Sequence, residues 1–285
     1  MNGKLKILGI GELVWDVLPS GKKLGGAPVN FAFWCNELGA EGFPVTAVGN
    51  DSLAEESLAQ LQNTGLDLSY IQHNDLPTGV VNVTLSGDGI PAYDIVQNVA
   101  WDAIEADKKT LGLAKVADAV CWGSLAQRSE KTRSSVETII DALEQSCLKV
   151  FDINIRQNWY TKELIESSLN KADVLKLNED ELPLIADMFG FDLETAIASI
   201  IKEYSLKYII YTVGADHSEI HGAEGMLSYI KTPSVKVVDT VGAGDSFTAA
   251  FITSLLSGKT VQESHAKAVE IAARVCTIQG AIPAK

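Results

Sequence analysis

Positive charge is what this 285-residue chain has least of: 23 Lys and Arg stand against 37 Asp and Glu, a formal net charge of −14. That sign is opposite to what a binder of a phosphate backbone needs, so nucleic acid is excluded as a partner. The deficit is uneven, since residues 24–107 hold no Lys or Arg and twelve Asp and Glu. Whatever that part of the chain binds is not expected to be an anion. Cysteine is sparse too, and Cys35, Cys121, Cys147 and Cys276 form no C-x-x-C pair, which removes zinc and dithiol redox chemistry. They read as small buried hydrophobes in a reducing compartment. No apolar run approaches the roughly 18 residues of a membrane span. The first residues, Met1-Asn-Gly-Lys-Leu-Lys, lead straight into a strand pattern without an apolar signal region, so a cytoplasmic location is expected.

What is present is an ordinary globular composition, 46% hydrophobic and 21% charged, which excludes disorder and collagen-like or coiled-coil organisation. Buried-strand patterns are read at residues 4–9, 44–48, 119–122, 149–153, 174–177 and 208–213. Helical patterns are read at 28–38, 52–62, 131–145, 162–168, 179–188 and 193–204. Strands alternating with helices predict an α/β fold with a mainly parallel sheet covered on both faces. Residues 12–19 and 78–93 break the alternation. The second alternates through Val80-Val81-Asn82-Val83-Thr84-Leu85 before the turn Ser86-Gly87-Asp88-Gly89. Having no helices of their own, the two are expected to pair into a small antiparallel sheet, either a cover over a cleft or an ordinary edge hairpin.

The stretch from Val235 to Phe247, Val-Lys-Val-Val-Asp-Thr-Val-Gly-Ala-Gly-Asp-Ser-Phe, is the most informative. It reads as a strand, a glycine turn at Gly242-Ala243-Gly244 and a helix. Backbone N–H groups at such a helix start converge on one place and favour an anion there. Asp245 is then out of place, because a carboxylate repels an anion. It serves either as a base for a hydroxyl attacking phosphorus or as an N-terminal helix stabiliser. Other nucleotide signatures fail. Gly9-Ile10-Gly11 has Val14 where a dinucleotide fingerprint needs glycine, and Gly258-Lys259-Thr260 has Thr253 at the first P-loop glycine. His217-Ser-Glu-Ile-His221 carries its glutamate in the wrong place for a zinc hydrolase.

The segment from Asp239 to Phe247 resembles the C-terminal signature of the ribokinase-like (PfkB) carbohydrate kinases, and Gly25-Gly26-Ala27-Pro28-Val29-Asn30 their N-terminal one. Asp16, Asn178-Glu179-Asp180-Glu181 and Thr212-Val213-Gly214 fall at the intermediate places, so the resemblance covers essentially the whole chain. It implies a single ribokinase-like domain over residues 1–285, a three-layer α/β/α sandwich with a mainly parallel sheet. A small projecting β-sheet lid is inserted at about 12–25 and 78–100. It also implies that Asp16, Gly26 and Asn30 bind sugar hydroxyls, and that Gly242, Ala243, Gly244 and Asp245 form the anion hole and base. Asn178 and Glu181 position the nucleotide phosphates and Mg²⁺ through water. Thr212 and Gly214 lie beneath the nucleotide, although Asp216-His217-Ser218 departs from the family's further glycine. Backbone oxygens near Asp239, Val241 and Gly280 correspond to a monovalent-cation site, so K⁺ joins ATP and Mg²⁺ among the implied cofactors. The bland alternatives stay open: Asn178 as a helix cap, Asn30 on a polar helix face.

Asp152-Ile153-Asn154-Ile155-Arg156 and Tyr93 through Ala100-Trp101-Asp102 are similar to segments of the fructokinase branch. Arg156 would approach the sugar or the transferring phosphate, its alternative being a surface ion pair. The reading is therefore an ATP-dependent sugar kinase that converts fructose to fructose 6-phosphate. A kinase for 2-keto-3-deoxygluconate, ribose or a nucleoside, and a non-catalytic sugar-binding relative, are the alternatives. A small-molecule sugar and ATP are the expected partners, with a homodimer through the lid and neither nucleic acid nor membrane.

Overall fold

The computed structural model describes residues 3–18, 21–85 and 91–283. In chain order its elements are β1 (Lys6–Ile10), β2 (Val14–Leu18), β3 (Gly21–Gly25), α1 (Ala27–Glu37), β4 (Glu41–Val48), α2 (Ser52–Gln62), β5 (Ile71–His73), β6 (Gly79–Leu85) and β7 (Pro91–Ile95). They continue with α3 (Lys108–Ala114), β8 (Ala119–Trp122), α4 (Glu130–Asp141), β9 (Leu148–Asp152), α5 (Lys162–Lys171), β10 (Val174–Asn178), α6 (Glu181–Phe189) and α7 (Ala196–Tyr204). The last are β11 (Tyr208–Val213), β12 (His217–Gly222), β13 (Gly225–Lys231), α8 (Ala243–Leu256) and α9 (Val261–Val275).

Nine strands form one sheet in the order β13-β12-β11-β10-β9-β8-β1-β4-β5, parallel except where β12 and β13 turn back as a hairpin. Successive side chains of a strand point to opposite faces, and the core accordingly divides in two. Leu8, Val120, Phe151, Leu175 and Ile209 pack with the helices α3 to α7 on one face. Ile7, Cys121, Val150, Val174 and Ile210 pack with α1, α2, α8 and α9 on the other. Both α1 and α8 are apolar nearly all round, which suits helices buried on every side. The result is the expected three-layer α/β/α sandwich.

A second sheet, β3-β2-β6-β7, stands apart from the first. Its outer pairs are antiparallel, but β2 and β6 run parallel, from Val14↔Gly79 to Val17↔Asn82. The expectation of a purely antiparallel lid is corrected here. β2 and β6 are separated in sequence by β3, α1, β4, α2 and β5, and so long a crossover can return in the same direction. The expected turn at 86–89 lies outside the described residues.

A second correction concerns residues 235–238, expected as a strand before the glycine turn. They form no strand, and Val237 and Val238 are more than half exposed. Their hydropathy fits a strand, but the sheet already ends at β13. A single main-chain bond from Val238 N–H to the Cys276 carbonyl ties the segment to the end of α9 instead. Thr260, the last residue of the supposed P-loop fragment, caps α9 in a reciprocal box with Glu263. Among the described residues no helix is long and apolar enough to cross a membrane.

Candidate active site

The carboxyl ends of parallel strands are where an open α/β sheet presents loops to a ligand. Here β1 delivers Glu12, β8 delivers Gly123, β9 ends in Asp152 and β10 ends in Asn178. The two helices that cover this end of the sheet, α1 and α8, begin at glycines. Gly26 lies at φ +120, where a Cβ would stand 2.3 Å from the Glu12 carbonyl oxygen. Gly242 lies at φ +79, where a Cβ would stand 2.4 Å from that of Ala281. Both helices therefore start closer to their neighbours than any other residue would permit.

Gly242 is the N-cap of α8, with Ala243, Gly244 and Asp245 in its first turn. The Ala243 N–H bonds back to Thr240 and that of Ser246 to Gly242, which leaves Gly244 and Asp245 among the free donors of the helix start. The Asp245 side chain does not cap its own helix. Its Oδ2 instead accepts a hydrogen bond of 2.8 Å from Asn30 Nδ2 on α1. Asn30 is buried, so it does not lie on an exposed polar helix face. Burial pushes the Asp245 carboxyl up, while Asn30, Lys176 and Arg156 pull it partly back.

Asp245 lines a narrow recess with Glu12, Pro28, Phe31, Trp122, Asp152 and Asn154. Two buried oxygens near Asp245, Glu12 Oε2 and Asn30 Oδ1, have no hydrogen-bond partner, and Asp152 Oδ1 has only the Lys176 ammonium at 3.4 Å. Such groups cost free energy unless something hydrogen-bonds them, so a polar ligand or water is the expected partner there.

Arg156 is exposed at the mouth. Its guanidinium donates only to the Ile155 carbonyl and makes no ion pair among the described residues, so the surface-pair alternative is not what it does. Its field lowers Glu12, Asp16, Asp152 and Asp245 alike. Asp16 lies on lid strand β2, where burial raises it and Arg156 and Lys23 pull it back.

Further along the sheet end, Asn178 Oδ1 accepts from the N–H groups of Asp180 and Glu181. Glu181 in turn accepts from the N–H groups of Asn178 and Ile155 at 2.9 Å each. Asn178 thus does hold a helix start, and each Glu181 oxygen keeps a lone pair for a further partner. Thr212 is the register partner of Asn178 on β11, and Gly214 follows in the turn beside Glu179. Asp239, Val241 and Gly280 do come together: the Asp239 carboxylate accepts from both backbone N–H groups. It also pairs with Lys23 of the lid at 2.8 Å. Although burial raises it, Lys23 first and the two N–H groups hold it below the ordinary carboxylate range. No group of three or more His, Cys, Asp and Glu disposed to hold a metal ion occurs among the described residues, His217 and His221 included.

Two residues of this region escaped sequence reasoning. Glu12 sat in a segment read only as lid, and Lys176 in a run read as an apolar strand. Lys176 is buried, and its Nζ lies 3.4 Å from Asp152 Oδ1 and just beneath Gly244. Burial works against its ammonium, but Asp152, then Glu181 and Asp245, hold its pKa above the ordinary value. A lysine inside a buried parallel strand was the available signal, because lysine is almost never buried without a partner.

Comparison with known proteins agrees with this geometry. The family model described as pfkB family carbohydrate kinase matches residues 11–285. The chain belongs to that family, and it is a sugar kinase. It is 29% identical over 316 residues to a fructokinase of Escherichia coli, covering all of this chain and 96% of that one. It is 27% identical over 296 residues to an ATP-dependent 6-phosphofructokinase of Thermoanaerobacterium thermosaccharolyticum, covering 98% and 90%. Its fold matches that of the Xylella fastidiosa fructokinase with bound ATP at a TM-score of 0.85 and 18% identity, over 97% and 94% of the two chains.

Proposed function

We propose that this sugar kinase, acting as one domain, transfers the γ-phosphoryl group of ATP to a hydroxyl of a neutral ketohexose, converting fructose to fructose 6-phosphate. One observation carries the reading: the Asp245 carboxylate is held by Asn30 and lines a recess shared with the unpartnered Glu12 Oε2. Asp245 takes the proton of the attacking hydroxyl, and its raised pKa brings it nearer the working pH of a general base. Asp16, Asn30 and the backbone at Gly26 hold the sugar. The glycine turn Gly242-Ala243-Gly244 receives the transferring phosphoryl group on the free N–H groups of the helix start, those of Gly244 and Asp245 among them, with Arg156 reaching it from the mouth and Lys176 beneath. Asn178, Thr212 and Gly214 seat the nucleotide.

Glu181 would hold Mg²⁺ through water, and the ion neutralises phosphate charge when bound. Carbonyls around Asp239, Val241 and Gly280 are the place for K⁺. The lid's edge strands, with Val17 and Tyr93 exposed upon it, support a homodimer formed through the lid.

A second reading, an acidic acceptor such as 2-keto-3-deoxygluconate, is favoured by Arg156, whose charge is uncommitted. ADP release measured with fructose, fructose 6-phosphate, 2-keto-3-deoxygluconate, ribose and a nucleoside decides between them. Preference for fructose is expected. Preference for an acid transfers the role to Arg156, and no ADP release with any acceptor overturns the kinase reading in favour of a binding relative.

A further inference from the structure

Glu12 is 3% exposed, and its Oε2 has neither solvent nor a hydrogen-bond partner. A buried carboxyl in that state costs free energy, and an apolar residue of the same shape would suit the fold better. Its presence therefore calls for a ligand. The groups around it define what kind. Asp245, Asp152 Oδ1 and Asn30 Oδ1 can only accept hydrogen bonds when the carboxylates are ionised. The side-chain donors nearby are already partly used, one Asn30 Nδ2 hydrogen on Asp245 and Lys176 in its ion pair with Asp152. Arg156 stands outside at the mouth. A polyol that donates its hydroxyl protons to these acceptors still has oxygen lone pairs to satisfy, and a protonated Glu12 supplies a donor for one of them.

We propose that Glu12 is a further substrate-binding residue, whose carboxylic acid donates a hydrogen bond to a hydroxyl oxygen of the acceptor sugar within the recess. This rests on the sugar-kinase reading above.

The electrostatics agree. Burial pushes the Glu12 carboxyl up to about 7, with Asp245 adding to the rise and the backbone N–H groups of Glu12 and Ala27 and the charge of Arg156 opposing it. The groups facing the recess from each element are few. They are Asp245 on α8, Asp152 on β9 with Lys176 on β10, Arg156 in the loop after β9, and Cys121 on β8. Burial keeps the Cys121 thiol neutral throughout. Arg156 also acts on the lid residue Asp16, and α1 brings Ala27, Pro28 and Phe31 to the recess, with Asn30 bonded to Asp245. Below about 7 Glu12 is a neutral donor. As pH rises through that value it loses its proton and stands as a second anion beside Asp245, so sugar affinity falls.

The test compares wild type with Glu12→Gln and Glu12→Leu. Sugar KM, ATP KM and kcat are measured from pH 6 to 8.5 with the best acceptor of the panel, and sugar binding is followed by calorimetry. Wild-type sugar KM should rise about 10-fold across that range. Glu12→Gln, a neutral donor at every pH, should keep the wild-type value of pH 6 within about 3-fold and show a flat profile. Glu12→Leu should raise sugar KM about 10- to 100-fold at every pH with ATP KM unchanged. A wild-type sugar KM in Glu12→Leu would overturn the proposal and leave Glu12 with an internal water. A pH-dependent Glu12→Gln, or one as impaired as Glu12→Leu, would overturn it as well, and this variant suffices should the leucine variant not fold. A wild-type enzyme that neither binds nor phosphorylates any sugar would overturn the kinase reading itself, a result distinct from an active enzyme indifferent to Glu12.

Discussion

Asn30 on α1 and Asp245 on α8, 215 positions apart in the chain, meet in a hydrogen bond of 2.8 Å that holds one oxygen of the carboxylate. Because the aspartate does no capping, Asp245→Asn should leave the thermal melt nearly unchanged. Loss of the base should lower kcat by about 10² to 10⁴ while sugar and ATP KM stay close to wild type. Steady-state kinetics beside the melt checks this. A folded variant with more than about a tenth of wild-type kcat contradicts the base assignment.

The same bond sets where Asp245 titrates. Asn30 donates to the ionised form and so lowers a pKa that burial raises. Asn30→Leu should raise it further, and the acidic limb of the kcat profile should move to higher pH. A profile superposable on wild type would show that Lys176 and Arg156 alone govern the carboxylate.

Acceptor charge follows from what the lid's cations already do. Lys22 pairs with Glu56 at 2.6 Å and lies over the Trp15 ring, and Lys23 is bound to Asp239. Neither is free for a second phosphate, so fructose should exceed fructose 6-phosphate in kcat/KM by about 10²-fold or more. Comparable values would assign the phosphate to Arg156.

Asp16→Ala should raise sugar KM by about 10- to 100-fold, as loss of a charge-assisted hydrogen bond predicts, with ATP KM nearly constant. An unchanged sugar KM places Asp16 in lid structure alone.

Stability near the lid's base rests on a buried pair. Arg128 donates to both carboxylate oxygens of Asp102 at 2.8 and 2.9 Å and lies 3.9 Å from the centre of the Trp101 ring. Arg128→Met strands the buried aspartate and should cost about 3 to 5 kcal/mol in urea unfolding. Adding Asp102→Leu should recover much of that loss, since the uncompensated charge is then gone.

Much of this molecule was legible as sequence. Strands at 119–122 and 208–213 and the helix at 52–62 follow the bounds of β8, β11 and α2, because period and flanking residues are local properties. The glycine turn at 242–244 and Asp245 were equally visible, since spacing along the chain fixes a helix start. Tertiary structure decided the rest. That β2 and β6 run parallel depends on the path of the intervening chain. That 235–238 is not a strand depends on the sheet having ended at β13. The sequence could pose the question of whether Asp245 caps a helix or faces a substrate, but it could not show that the packing of α1 against α8 brings Asn30 to the carboxylate. Glu12 and Lys176 became visible for the same reason: burial raises a charged group's cost, and burial is a property of the assembled layers.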